Sequence, residues 1–325
     1  MIRTMVECSI IIVCMNNLNF LYPCLHSIRK VTSVDFEVIV TAYLFSKENL
    51  EKVKLDFPWV KFIESNEIRG FSENNNLALK KAKGKYCFVL NDDTVMKMPV
   101  IDELVKTIKS LPNDTAVVSP IFISPNGDVQ CCGRPYYDWK WIILEKLQIK
   151  NRKSIKQYCN KSGVFQTYNI LGAGFLIRTD LFRNIGWFDE RYFFCPEDIA
   201  VSTELNKRGY KCYVNSNVKL IHYEGLTSKS VSIIRAATTP AARKGEIIFY
   251  SEGNKGIYFI LSIFYFLTNF FAFFYHKLKY EFGNKTEIER ILSLCCLNTF
   301  NSIFSNLSPK EIFVKYYTKI SQYSL

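Results

Sequence analysis

The sequence predicts an α/β fold, a mainly parallel β-sheet flanked by helices, followed by a C-terminal helical region that associates with a membrane. Apolar runs of strand type alternate with helical segments, which is typical of βαβ units. The runs at residues 9–14 and 86–90 are apolar throughout, as in strands buried on both faces. Residues 257–275 carry no charged side chain, so the last third of the chain contains a long apolar segment.

The first elements follow one another in a regular order. A helix with Leu21, Leu25 and Ile28 on one face follows the first strand. A second helix begins near Gly70, takes Ser72 as its N-cap and ends before Gly84. The predicted strands of this half span residues 9–14, 36–40, 60–63 and 86–90.

The next elements continue this order. An amphipathic helix is stopped by Pro112, Thr179 caps a short helix, and a third helix runs from Glu197 to Gly209. Strands are predicted at residues 116–119, 169–178, 211–214 and 218–222. Residues 120–165 are predicted to be rich in loops. Four aromatic side chains there either stack on a sugar ring or pack together: Tyr136, Tyr137, Trp139 and Trp141.

The C-terminal third contains the candidate membrane segment. As a helix, residues 257–275 approach the thickness of the hydrocarbon core, with Lys255 before them and Lys279 after them. Such a helix spans the bilayer, lies in its interface or packs inside a soluble core, and the sequence leaves these options open. Capping boxes at Thr286 and Ser308 predict two further amphipathic helices.

Composition restricts the class of protein. The chain has 325 residues, 48% of them hydrophobic and 22% charged, so a packed core is expected and global disorder is excluded. Its net charge of +12 indicates an acidic partner such as nucleic acid, anionic lipid or a phosphorylated substrate. Eleven cysteines without C-x-x-C spacing indicate reduced thiols. The first strand is not followed by G-x-G-x-x-G, which argues against a Rossmann dehydrogenase, and no nucleic-acid-binding motif occurs.

Polar side chains follow the strand at residues 86–90. Asn91, Asp92 and Asp93 would lie at the carboxyl edge of the sheet, where ligands of open α/β sheets bind. Closely spaced oxygen ligands suit a hard divalent cation holding a diphosphate. The same residues are also good turn formers, so this triplet predicts either a metal site or a simple turn.

Three later residues are also candidates. Glu197 and Asp198 begin a predicted helix, where backbone N–H groups favour negative charge, and both are also ordinary first-turn residues. His222 ends a predicted strand, and it is either a ligand or a histidine bonded by a neighbour.

These signals, in this order, resemble the family 2 glycosyltransferases of bacterial polysaccharide assembly. This group has the GT-A (Rossmann-like) fold and includes rhamnosyltransferase-like enzymes. The resemblance covers about residues 8 to 228. It rests on residues 9–16, 70–76, 90–94, 172–178, 186–190, 196–198 and 222–225.

The resemblance implies roles for matching positions. Asp93 and His222 would hold Mg²⁺ or Mn²⁺ on the donor diphosphate, and Asp198 would be the general base. The acceptor would contact Glu197 and Trp187. The nucleotide-sugar would contact Asn16, Asn76, Asn91 and Asp92.

The sequence departs from the family at three positions. The Asp-Asn or Asp-Asp pair that usually follows the second strand is replaced by Thr41 and Ala42, which affects recognition of the nucleotide base. Ala200 stands where a further aspartate is common, and Asn91 replaces a carboxylate. The first departure keeps an alternative open, a catalytically impaired protein that binds sugar nucleotides or acts as a scaffold.

The resemblance and the C-terminal third together predict the biological setting. We expect a GT-A domain at residues 1–228 and a helical, membrane-associating region at residues 229–325. The expected enzyme is an inverting, metal-dependent hexosyl- or deoxyhexosyltransferase that uses a nucleotide-sugar donor and a lipid-linked or polysaccharide acceptor. Basic side chains would attract the chain to the cytoplasmic face of the cell membrane, as a peripheral or monotopic protein.

Overall fold

A computed structural model describes residues 6–130, 132–147, 149, 158–223, 232–283 and 285–322. The chain folds into two compact units. Unit 1 consists of Met1–Tyr136, Arg152–Asp189 and Glu197–Glu224, and unit 2 consists of Tyr137–Asn151, Glu190–Pro196 and Gly225–Leu325.

Unit 1 is built on a β-sheet that has nine strands within the described residues. The strands are β1 (Cys8–Cys14), β2 (Phe36–Tyr43), β3 (Val60–Ser65), β4 (Tyr86–Asn91), β5 (Thr94–Val95), β6 (Thr115–Ile123), β7 (Val164–Thr167), β8 (Gly174–Arg178) and β9 (Lys211–His222). Their order is β3-β2-β1-β4-β8-β6-β9-β5, and β7 pairs with β9.

The sheet is mixed, whereas the sequence predicts a mainly parallel one. Strands β3, β2, β1 and β4 are parallel. Strand β8 then lies antiparallel to both β4 and β6, and β9 is parallel to β6 but antiparallel to β5 and β7. A run of apolar residues reports burial on both faces and carries no information on strand direction, so the pattern did not predict this reversal.

Helices cover both faces of the sheet. In unit 1 they are α1 (Leu18–Val31), α2 (Lys47–Asp56), α3 (Phe71–Leu79), α4 (Val100–Ser110), α6 (Thr179–Asn184) and α7 (Glu197–Lys207). Successive side chains of β1 alternate between the two cores. Ile10 and Ile12 pack in the cluster that includes α1 and α4, and Ile11 packs in the cluster that includes α3, α6 and α7.

Three local predictions were wrong. The strand predicted at residues 169–178 begins only at Gly174, as β8. Ser72 is not the N-cap of α3, because the cap is Gly70, whose N–H donates to Glu73 Oε2 over 3.0 Å. The two strands predicted at 211–214 and 218–222 form the single strand β9. Register shifts between β6 and β9 accommodate the polar residues that suggested a break.

Unit 2 is helical in the part of it that the structure describes. Its helices are α5 (Trp139–Lys146), α8 (Arg235–Ser251), α9 (Lys255–Phe282), α10 (Glu287–Ser302) and α11 (Pro309–Gln322). The capping box predicted at Ser308 is present, since Ser308 and Glu311 exchange bonds of 2.7 and 3.3 Å. At Thr286 it is incomplete, because the Glu289 carboxylate instead contacts His276 and Lys279.

Helix α9 is long and apolar enough to cross a membrane, by length and composition alone. In its most apolar window, of mean hydropathy 1.9, 17% of the residues are buried. Nine exposed apolar residues form what we call the apolar stripe: Phe259, Ile260, Ile263, Leu267, Phe271, Phe274, Tyr275, Leu278 and Phe282. Buried polar contacts also join the helices of this unit, for Lys244 Nζ donates to the carbonyls of Ile303 and Ser305, each over 2.9 Å.

Candidate active site

The triplet Asn91-Asp92-Asp93 lies in a tight turn at the carboxyl end of β4. The Thr94 hydroxyl donates to the Asn91 carbonyl over 2.8 Å and closes the turn. The chain then enters β5, where Thr94 pairs with His222 of β9. The triplet can therefore be both a turn and part of a metal site, because the turn directs Asp93 toward the end of β9.

Asp93 and His222 face each other at this edge. His222 Nε2 lies 3.4 Å from Asp93 Oδ1, and both side chains are buried. The Tyr223 N–H donates to the Asp93 carbonyl over 2.9 Å and fixes the two strand ends together. Asp93 Oδ1 is buried without a hydrogen-bond partner, which is costly unless a ligand completes it.

Gln130 orients the His222 ring, and no sequence motif predicts this contact. Its Nε2 donates to the His222 carbonyl over 3.0 Å, and its Oε1 lies 3.1 Å from His222 Nδ1. When Nδ1 donates to Gln130, Nε2 presents its lone pair beside Asp93. This is the arrangement by which outer groups orient metal-binding histidines.

The residues present fit a divalent cation that is shared with a substrate. The described residues contain no group of three or more His, Cys, Asp or Glu side chains able to hold a metal by themselves. One carboxylate and one imidazole leave most coordination positions open, and Mg²⁺-type sites commonly fill them with substrate phosphates and water. The unpartnered Asp93 oxygen supports this assignment.

Asn91 and Asp92 differ in their surroundings. Asp92 lies beside the Cys14 thiol, and burial raises the pKa of its carboxyl to about 6. The neighbouring charge of Asp93 acts in the same direction. The Asn91 side chain is half-buried at the end of β4, and its backbone N–H donates to the Ala173 carbonyl over 3.0 Å.

Asp198 is held by three groups at the start of α7. Its Oδ2 accepts from the Gly172 N–H over 3.1 Å, and its Oδ1 accepts from the Ile199 N–H over 2.8 Å. The Arg134 guanidinium lies 3.6 Å from Oδ2. Arg134 was also missed from the sequence, since it lies in a loop with no local motif.

Glu197 differs chemically from its neighbour. Burial and the adjacent charge of Asp198 raise the pKa of the Glu197 carboxyl well above its usual range. Its Oε2 is buried without a hydrogen-bond partner. A carboxyl in such a place holds its proton more readily and can donate a hydrogen bond.

The two parts of the site share one edge of the sheet. Leu90 of β4 pairs with Gly174 of β8, and the Asn91 N–H donates to the Ala173 carbonyl. One residue earlier along the chain, the Gly172 N–H donates to Asp198. The carboxylate of Asp198 and the turn containing Asp93 are thus joined through a short backbone path.

The remaining predicted residues have structural contacts. Asn16 Oδ1 accepts from the Ser46 N–H and from Asn49 Nδ2, over 3.2 and 2.9 Å. The buried Asn76 amide exchanges bonds of 2.9 and 3.1 Å with the Phe188 backbone. These contacts do not support a direct role for either residue in donor binding, which stays a prediction.

Trp187 and the aromatic group of the loop region also make packing contacts. Trp187 packs on Phe182, with ring centroids 5.3 Å apart, and beneath Arg183. Tyr137 and Trp141 stack on each other at 4.0 Å, and Tyr136 packs edge-on against Tyr168. Packing among aromatic side chains, the second of the two roles that the sequence allowed for this group, accounts for these contacts.

Comparisons with known proteins agree with this architecture. The mannosyltransferase PcManGT from Pyrobaculum calidifontis, solved with GDP-Man and Mn²⁺, superposes with a TM-score of 0.51 at 13% identity, over 90% of this chain and 86% of that chain. GalNAc-T7, solved with UDP, GalNAc and Mn²⁺, superposes with a TM-score of 0.54 at 19% identity, over 67% of this chain and 43% of that chain. The expected GT-A fold is confirmed.

Sequence relatives point the same way. The O-antigen biosynthesis protein RfbC of Myxococcus xanthus is 24% identical over 163 residues, which is 50% of this chain and 13% of that protein. The model of the family described as Glycosyl transferase family 2 matches residues 9–186, more than half of the sequence. The chain therefore belongs to glycosyl transferase family 2.

Proposed function

We propose that this protein is an inverting glycosyltransferase that moves a sugar from a nucleotide-sugar donor to a hydroxyl of a saccharide acceptor in cell-surface polysaccharide biosynthesis. The observation that carries the proposal is the shared sheet edge. The Asp93–His222 pair lies at the ends of β4 and β9, and Asp198 is bonded to the segment that pairs with β4. This arrangement would bring a leaving-group site and a proton acceptor together.

Asp93 and His222 would hold a divalent cation, Mg²⁺ or Mn²⁺. Such a cation would supply Lewis-acid stabilisation of the departing diphosphate. The solved relatives with Mn²⁺ and with UDP or GDP-Man support a metal and a nucleotide-sugar donor here. Asn91 and Asp92 would border the donor, as would Asn16 and Asn76 if their present contacts rearrange.

Asp198 would accept the proton of the attacking hydroxyl. Its two backbone N–H contacts and Arg134 hold the carboxylate in one orientation, as a positioned general base requires. Glu197, whose pKa is raised, would donate a hydrogen bond to the acceptor, and Trp187 would border the acceptor site. Attack from the face opposite the diphosphate would invert the anomeric centre.

The acceptor is proposed to be lipid-linked and held at the cytoplasmic face of the membrane. The apolar stripe of α9 supports a peripheral or monotopic attachment to the membrane, and the net charge of +12 supports an anionic surface. The relative named for O-antigen biosynthesis supports a role in polysaccharide assembly.

A second candidate is a sugar-nucleotide-binding protein that is catalytically impaired. Thr41 supports it, because this position holds no carboxylate and its hydroxyl is buried and donates to the Asn74 carbonyl over 2.9 Å. The orphaned oxygen of Asp93 and the held carboxylate of Asp198 favour the enzyme.

A panel of nucleotide sugars tests both candidates. Each is incubated with the full chain and Mn²⁺, with and without EDTA, and nucleotide release is measured. Metal-dependent release from one donor supports the enzyme and identifies the sugar. Binding of a donor without release, with a membrane extract present as the source of acceptor, supports the impaired protein.

A further inference from the structure

A cavity lies at the other end of the central strands from the transfer site. The transfer site is at the Asn91 end of β4, and this cavity is at the Tyr86 end, where β8 finishes at Arg178. Its volume is about 480 Å³, within the range of small-molecule sites. We call it the basic cavity. Its lining is formed by Lys83, Gly84, Lys85, Tyr86, Lys109, Asn113, Arg178, Thr179, Asp180 and Arg183.

The lining is strongly positive. Five of these ten residues are Lys or Arg, and Asp180 is the one carboxylate among them. Lys109 forms an ion pair of 2.6 Å with Glu7. In the part of the chain that the structure describes, the other four cations form no ion pair, and Asp180 pairs with none of them.

Arg178 adds a specific signal. Its Nε is buried and has no hydrogen-bond partner. Leaving a buried donor of a charged group unpaired is costly, so an acceptor is expected from a bound molecule.

The backbone that carries the cations is fixed in place. The Lys83 N–H donates to Glu37 Oε1 over 2.7 Å, and the Thr179 hydroxyl donates to the Gly84 carbonyl over 2.7 Å. A Cβ at Gly84 would lie 2.4 Å from the Ser9 nitrogen, so this close approach admits only glycine. The cations are therefore presented by a rigid frame, which lowers the entropic cost of binding.

We propose that the basic cavity binds a phosphate-bearing ligand, separately from the donor at the transfer site. Guanidinium groups such as Arg178 and Arg183 match phosphate oxygens in pairs, and Lys83 and Lys85 add point charges. The phosphate comes either from a soluble molecule or from a lipid headgroup, and the chemistry at the cavity is the same in both cases.

Calorimetric titration of the full chain with inorganic pyrophosphate, in EDTA and at low ionic strength, tests the proposal. The cavity variant is Lys85→Gln with Arg183→Gln, two exposed side chains whose loss should leave the fold intact. The matched control is Lys47→Gln with Lys61→Gln, which removes the same charge from exposed positions outside the cavity. Unfolding temperatures verify that all three proteins are folded.

The expected result is a loss of affinity of about tenfold or more in the cavity variant and little change in the control. Arg178→Gln should weaken binding as well. Equal affinities in the three proteins would overturn the proposal, because they would indicate binding at the transfer site or by net charge. Absence of pyrophosphate binding in the unmodified chain, together with no cavity effect on vesicles, would overturn it too.

A vesicle experiment distinguishes the two sources of phosphate. Flotation is compared with phosphatidylcholine vesicles with and without phosphatidic acid, for the same three proteins. A loss restricted to the cavity variant and to phosphatidic acid assigns the phosphate to a headgroup. Pyrophosphate binding that depends on the cavity, without a matching vesicle effect, assigns it to a soluble ligand.

Discussion

The backbone N–H of Gly172 donates a hydrogen bond to Asp198 Oδ2 over 3.1 Å, and this bond joins the start of α7 to the segment that leads into β8. Asp198→Asn preserves the shape of the side chain but removes its ability to accept a proton. We expect transfer to fall by about 10²–10⁴-fold while donor binding is retained. Transfer kinetics and donor titration measure the two effects. Asp128→Asn, at an exposed position, serves as the control, and near-normal transfer by Asp198→Asn would contradict the base assignment.

Removing the metal ligands should act on donor binding first. Asp93→Asn and His222→Asn should each weaken Mn²⁺ affinity, measured by titration in the presence of the donor nucleotide, and EDTA should reproduce the loss in the unmodified chain. Asp128→Asn, which removes the same charge from an exposed position, provides the control. Unchanged Mn²⁺ affinity in both ligand variants would exclude this pair as the metal site.

Gln130 is expected to act on the metal through His222. Gln130→Leu removes both contacts with His222 and should lower Mn²⁺ affinity by about 10–100-fold, the usual effect of losing such an outer partner. Gln130→Glu keeps an acceptor for Nδ1 and should recover part of the affinity. A merely structural role would instead lower the unfolding temperature in both variants and leave metal affinity unchanged.

Glu197 should make stability depend on pH. Its pKa is raised in the folded chain, so the folded state binds the proton more tightly than the unfolded state does. Stability should therefore fall as pH rises from the ordinary carboxyl pKa through the raised one. Glu197→Gln should make this decline smaller and leave the part that Asp92 contributes through its own raised pKa, which thermal unfolding between about pH 4 and pH 9 measures. Parallel curves for the two proteins would contradict the prediction.

The apolar stripe should determine membrane binding. Phe271 is 66% exposed, and Phe271→Asp places a charge in the middle of the stripe. We expect binding to anionic vesicles, measured by flotation, to weaken by about tenfold or more, because burying a charge in the interface is unfavourable. Leu55→Asp changes another exposed apolar residue, at 80% exposure, in α2 of unit 1. Equal loss in both variants would indicate a nonspecific effect.

Local patterns in the sequence were sufficient for much of the fold. The runs ending at Cys14 and Asn91 predicted β1 and β4 because burial on both faces demands continuous apolar residues. The turn chemistry of Asn91-Asp92-Asp93 likewise fixed where β4 ends. The family resemblance supplied Asp93, Asp198 and His222 as candidates, and their order along the chain was informative.

The tertiary structure alone decided which of these candidates meet. Gln130 and Arg134 lie in loops without a motif, and they reach His222 and Asp198 only because the sheet brings distant segments together. It also gave Asn76 a partner in the Phe188 backbone, which no local pattern encodes.

The sequence by itself therefore determined most of the strands and the amphipathic helices, since these depend on neighbours within a few positions, and the family resemblance supplied the candidate site residues. Only the folded chain determined the antiparallel entry of β8 between β4 and β6, and with it the path from Asn91 through Ala173 and Gly172 to Asp198. The physical reason is that strand direction and side-chain partners are set by long-range pairing, whereas burial and turns are set locally.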